Sequence, residues 1–175
     1  MSRRLSIACL LSLLLAGEVI LIGQQTTPDR YMPRGFRPPK GMAPGMKVTD
    51  LGKGARTYRV NLTKGDEMMS GLIDFAEKYK IKSAHFTALG ALDKGVYGWT
   101  DVERGLGQKR LELNQEAEIV SFMGGISVDA QGRPTVHAHG SVAMSDGSVK
   151  GGHWFEAHVS IIAEVFVTEE EGPAQ

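Results

Sequence analysis

Most of the second half of the chain alternates between hydrophobic and polar positions with a period of two. Arg56–Leu62 (RTYRVNL) alternates and is rich in strand-forming residues, which predicts a first β-strand. Asp66–Tyr79 (DEMMSGLIDFAEKY) changes period: Met69, Leu72, Ile73 and Ala76 fall on one stripe at helical spacing. Asp66 and Glu67 at its front and Lys78 and Lys80 at its back complement a helix dipole, so this segment predicts the principal helix. Ser83–Leu92 and Gly95–Trp99 read as two paired strands with Asp93-Lys94 as the turn between them. Gln108–Leu113 alternates again, and Glu118–Val128 predicts a longer strand with a bulge at Gly124-Gly125. Thr135–Met144, Ser148–Gly151 and His158–Val167 complete about seven strands. Ser145-Asp146-Gly147 between the first two of these is a hairpin signal, because Asp-Gly supplies the positive φ of a tight turn. The expected fold class is α+β, a mainly antiparallel sheet with one prominent helix.

Composition refines this picture in two places. The chain has 175 residues, enough for one domain with terminal appendages, and its 22 glycines favour a turn-rich β fold over a helical bundle. Its single cysteine, Cys9, excludes an internal disulfide, and it lies too near the start of the first apolar run to be a lipid-anchor site.

That run, Leu5–Ile22, follows Arg3 and Arg4 and is interrupted by Glu18. A charge at mid-bilayer costs about 2.5–3.5 kcal/mol on insertion scales, so residues 1–25 are expected to be a signal peptide, otherwise an N-terminal anchor. The rest of the chain is then exported, periplasmic or extracellular, with membrane contact only through an uncleaved N-terminal segment. Residues 26–55 form a basic Pro/Gly-rich linker or surface-hugging arm in which Pro33, Pro38, Pro39 and Pro44 argue against regular structure. The domain proper is expected over 56–168, and 169–175 is an acidic, solvated tail.

Net charge is zero, but it is unevenly spread. Asp29–Arg56 carries seven basic residues against Asp29 and Asp50, whereas Thr57–Gln175 carries eleven basic and seventeen acidic residues. A nucleic-acid-binding domain usually presents a basic face, so an acidic domain argues against nucleic acid as a partner.

The residues that could carry chemistry are His137, His139 and His153, three of the five histidines within seventeen residues. In a strand, positions i and i+2 share a face, so His137 and His139 project side by side. The hairpin returns the chain toward them, and Gly151-Gly152 permits close backbone approach just before His153. Three imidazoles with an open fourth position match a zinc site of the catalytic or labile kind. The plain alternative is histidines that face solvent or are hydrogen-bonded in a sheet. Glu164 interrupts an apolar final strand; it is a candidate carboxylate for orienting a ligand imidazole or for acid–base work, or else an edge residue facing water. His158, five residues beyond His153, falls on the opposite face and reads as structural, and His85 lies on a separate strand. Ser141 lacks a Gly-x-Ser-x-Gly context, so a serine hydrolase is unsupported.

The run Gly90-Ala91-Leu92, Glu-Ile-Val-Ser-Phe-Met-Gly-Gly-Ile, His-Ala-His-Gly, Gly151-Gly152-His153 and Ala-Glu-Val resembles the PPC domain, also called DUF296, over about Arg56 to Thr168. The resemblance implies a homotrimer of antiparallel sheets with helices, and zinc held through the positions of His137, His139 and His153. It also implies a fold similar to that of acetolactate decarboxylase. Plant relatives join this domain to AT-hooks, hence a DNA-binding label for the family. Here Pro33-Arg34-Gly35-Phe36-Arg37-Pro38 approaches the hook's core, but Phe36 interrupts it.

Three functions follow in order of expectation. The first is an exported trimeric zinc-binding module that binds a small, unidentified ligand or regulates. The second is a zinc-dependent lyase or hydrolase acting on a small carbonyl compound with Glu164 assisting. DNA binding through the linker comes third.

Overall fold

The computed structural model describes residues 30–33, 35–50 and 55–170. The expected signal peptide lies outside the described residues, as does most of the acidic tail. Nine elements follow one another: β1 (Arg30–Tyr31), β2 (Lys47–Asp50), β3 (Thr57–Thr63), α1 (Met68–Tyr79), β4 (Ala84–Asp101), β5 (Gly107–Leu113), β6 (Ala117–Val128), β7 (Pro134–Ala143) and β8 (Val149–Glu169). The strands form one antiparallel sheet in the order β1-β5-β4-β6-β7-β8-β3-β2. A second ladder joins β4 to β8, from Ala84↔Glu169 to Gly98↔His153. It closes β4, β6, β7 and β8 into a ring, which satisfies backbone groups that a sheet edge would expose. The α+β expectation holds, and α1 is the one helix among the described residues.

Two expected strand breaks are absent. Asp93-Lys94 does not turn the chain, because β4 continues through it; Asp93 is the extra residue of a bulge between Leu92↔Val159 and Lys94↔His158. The chain likewise does not break after Gly151, since β8 runs 21 residues without interruption. In both cases a continuous partner strand supplies hydrogen bonds across residues whose local chemistry favours a turn. The bulge expected at Gly124-Gly125 lies instead at Val120, between Ile119↔Val142 and Ser121↔Ser141. Gly124 stays in register for another reason: an added Cβ would lie 2.1 Å from the His137 carbonyl oxygen and 2.7 Å from the Phe86 ring.

The helix forms as its apolar stripe requires, burying Met69, Leu72, Ile73 and Ala76 together with Met68 and Phe75. It packs on β7 and β8 within a core that also holds Leu62, Phe86, Phe122 and Trp154. Its start differs from expectation. Glu67 is the N-cap, and its buried carboxylate accepts from Met69 N (3.0 Å), Ser70 N (2.7 Å) and, across to β8, Ala157 N (2.8 Å). Asp66 instead holds the preceding loop, accepting from Thr63 N and Gly45 N at 2.8 Å each.

The basic linker is a docked arm, and it contains regular structure despite its prolines. Lys47–Asp50 adds an edge strand to β3, and Arg30–Tyr31 pairs with β5. Between them Gly41 N bonds Asp74, Met42 N bonds Ser70, and Ala43 enters the core. Prolines are tolerated because the segment lies at the sheet margin, where few ladder donors are needed. At the other end, Glu169 pairs with Arg56 and Glu170 with Ser83 and His85, so the first two acids of the expected solvated tail are engaged.

Candidate metal centre

The Ser145-Asp146-Gly147 hairpin closes as its residues dictate, with Gly147 at φ +80° and Asp146 accepting from Ser148 N at 2.9 Å. It sets the register that matters: His139 lies directly opposite His153, with Gly140 opposite Gly152. His137 follows His139 on the same outer face. The three rings therefore surround one point, with centroids 5.1 Å (His137–His139), 4.8 Å (His137–His153) and 5.3 Å (His139–His153) apart. One ring nitrogen from each lies within 4.8 Å of the others. Gly152 makes this approach possible: its φ is +153°, and an added Cβ would lie 2.3 Å from the Gly98 carbonyl oxygen. A side chain there would push β8 away from β4 and carry His153 with it.

The donor set suits a divalent cation. Zinc–imidazole bonds of about 2.0–2.1 Å place tetrahedral ligand nitrogens about 3.3 Å apart, so small rotations of solvent-accessible rings close the set. Ligand imidazoles must be neutral, and two are biased that way. Burial, followed by repulsion from His137 and His139, pushes His153 down to about 4. Partial desolvation against the sheet, and then the charge of His139, also hold the exposed His137 below the usual imidazole value. For His153 the folded value lies below the ordinary 6.5, so the folded chain binds this proton less tightly than the unfolded chain. Its contribution to stability is fully present above 6.5 and is lost as pH falls toward about 4. An NMR titration of the metal-free protein is expected to give a His153 midpoint near 4; a midpoint at the ordinary imidazole value would contradict this burial.

Of the other sequence candidates, His158 lies away from the cluster, opposite Lys94 and 3.7 Å from Glu156. His85 sits on β4 and bonds Glu170 at 3.0 Å. Glu164 does not join the site. It lies eleven residues beyond His153 on the same strand, roughly 30 Å away at strand rise. There it is opposite Asn61 and Leu89 and 3.8 Å from Arg59. The role as imidazole orienter or acid–base partner is therefore not available to it within one chain. β8 continues without a break from His153, opposite Gly98, to Glu164, opposite Leu89, and so carries Glu164 toward its far end. Among the described residues the metal-binding cluster contains imidazoles alone.

Sequence reasoning missed the surroundings of His153. A bulge in β8, between Val96↔Glu156 and Tyr97↔Trp154, turns Phe155 outward beside the His153 ring at 4.7 Å. Phe36 from the arm meets Phe155 edge-on at 5.6 Å. The available signal was Phe36 itself, an aromatic in an otherwise Pro-, Gly- and Arg-rich stretch.

Residues 49–171 match the family model described as the Plants and Prokaryotes Conserved (PCC) domain. The chain belongs to this family. The match is somewhat wider than the expected 56–168 and takes in the second half of β2. No curated protein matches the sequence. Solved structures do. A plant- and prokaryote-conserved (PPC) protein of Pyrococcus horikoshii is 29% identical, with a TM-score of 0.63 over 74% of this chain and 84% of that one. A metal-containing protein of Archaeoglobus fulgidus is 32% identical, also with a TM-score of 0.63, over 74% of this chain and 86% of that one. A protein of Ralstonia eutropha provisionally named as DNA-binding is 26% identical, with a TM-score of 0.63 over 71% and 83%. Acetolactate decarboxylase of Bacillus subtilis is more distant, 13% identical with a TM-score of 0.45 over 70% of this chain and 54% of that one.

Proposed function

We propose that this PCC-domain chain is an exported, trimeric zinc-binding module that takes a small ligand at the metal. The observation that carries the proposal is the convergence of His137, His139 and His153 on an accessible face, with no fourth donor in the cluster among the described residues. The description of the Archaeoglobus relative as metal-containing supports it. Zinc bound there would supply a Lewis acid with a position open to a ligand oxygen. Export is inferred from Arg3, Arg4 and the apolar run behind them. Self-association is supported by Leu89, Met123, Ile162 and Phe166, exposed large apolar residues on β4, β6 and β8. The number three comes from the resemblance to relatives. Protein purified without chelators is expected to carry about one zinc per chain by elemental analysis. Clearly substoichiometric metal after zinc loading and desalting would rule the reading out.

A second reading, a zinc-dependent lyase or hydrolase for a small carbonyl compound, is favoured by a cavity of about 320 Å³ that His153 lines. It ranks lower because proton transfer needs a positioned acid or base, and Glu164 is remote. DNA binding ranks last. Of the hook-like residues, Phe36 is packed on Phe155 and Arg37 is paired with Asp129, which uses them within the chain.

A further inference from the structure

The cavity beside His153 opens where two strands part. The β7–β8 ladder runs from Ala143↔Val149 to Ala138↔Trp154. Beyond it, Phe155 forms one side of the space and Met69 of α1, itself buried, lies at its base. The remaining wall is the arm: Met32, Pro33 and Phe36 line the same space. This wall precedes the family match, which begins at residue 49.

Several independent contacts hold the arm in place. Met32 N donates to Gln108 O at 3.1 Å, and Tyr31 pairs with Lys109. A turn bonds Phe36 N to Pro33 O at 3.2 Å. Arg37 pairs with Asp129 and donates to Pro134 O at 3.4 Å. Phe36, Phe155 and His153 then form a continuous row of rings leading to the histidine cluster.

The chemistry of the lining selects a ligand class. No Asp, Glu, Lys or Arg is among the described residues that line the cavity. Gln108 also lines the space, with its Oε1 buried and making no hydrogen bond to a described residue. We propose that the arm is the specificity wall of the metal centre. The site would accept a small acid or carbonyl compound with its oxygen end toward the histidines and a compact neutral apolar or aromatic group under Phe36. The proposal rests on the metal reading above and adds the ligand class and the residue that selects it.

Two chelating probes with the same metal-binding head separate the head from the tail: acetohydroxamate carries a methyl group and benzohydroxamate a phenyl ring. Calorimetry on the zinc-loaded full chain is expected to show benzohydroxamate binding about tenfold or more tightly, from burial of the ring. Phe36→Ala is expected to bring the two affinities within about threefold, and Phe36→Trp to weaken benzohydroxamate by filling the space. Acetohydroxamate affinity and zinc content stay at wild-type levels in both variants. Equal affinities in the wild type, or an undiminished preference in both variants, would overturn the proposal while leaving the metal reading intact. Absence of bound zinc in the wild type would remove both, and elemental analysis of the same samples distinguishes the two failures.

Discussion

Replacing His137 and His139 together by alanine is expected to lower zinc affinity by about a thousandfold or more. Loss of a residue that only orients a ligand typically costs 10–100-fold, and this variant removes two ligands outright. The change also removes zinc-linked stability. At free zinc about a thousand times the dissociation constant, binding stabilises a folded protein by about 4 kcal/mol, and this increment should vanish from the variant. Both rings are exposed, so the metal-free variant should unfold within about 0.5 kcal/mol of the metal-free wild type. His153 is left in place because it packs against Phe155, and its loss would mix packing with ligation. Thermal unfolding with and without zinc, beside His158→Ala as a control, reads all of this. An equal zinc-induced shift in the double variant would place the metal elsewhere.

Glu67→Ala is expected to destabilise the metal-free fold by about 2–5 kcal/mol. The loss of an N-cap costs about 1–2 kcal/mol, and a buried donor left unsatisfied costs about 1–3 kcal/mol more. Here the orphaned donor includes Ala157 N, which ties the start of α1 to β8. A domain stabilised by about 5–15 kcal/mol loses a large fraction of its margin, and the melting temperature should drop by about 10 °C. Burial raises the Glu67 carboxyl above its ordinary value, outweighing the backbone donors from Ala157, Ser70 and Met69. The folded chain therefore holds this proton more tightly than the unfolded chain. The resulting stability is fully present below the ordinary value of 4.5 and is lost as pH rises through the folded value. Glu67→Gln, neutral at every pH, should cost less than alanine and flatten the pH slope above 4.5. Denaturant unfolding of the three proteins across that range tests both statements; equal midpoints for wild type and alanine would show that the buried carboxylate is dispensable.

Glu67 shows how sequence and structure divide the information. Its acidic position ahead of an apolar stripe was legible as a helix start, because capping and dipole effects act within one turn. Its link to Ala157, 90 residues away, was not. The arm behaves similarly. Its prolines and glycines spoke against regular structure, yet the segment supplies β1 and β2, and nothing local indicated that Phe36 would reach Phe155. Glu164 was misplaced for the complementary reason. Its apolar surroundings were read correctly as strand, but the length of that strand decides which end of the sheet it occupies.

The sequence alone determined the histidine cluster to a useful degree. Alternation placed His137 and His139 on one face, and an Asp-Gly hairpin with two glycines returned His153 to them. These are consequences of a two-residue period and of positive-φ turn chemistry, both set by neighbouring residues. The tertiary structure decided that β4 and β8 run unbroken, that Glu164 is far from the imidazoles, and that a pocket walled by the arm adjoins His153. Those outcomes depend on hydrogen-bond ladders and ring contacts between residues distant in the chain, whose pairing no local pattern specifies.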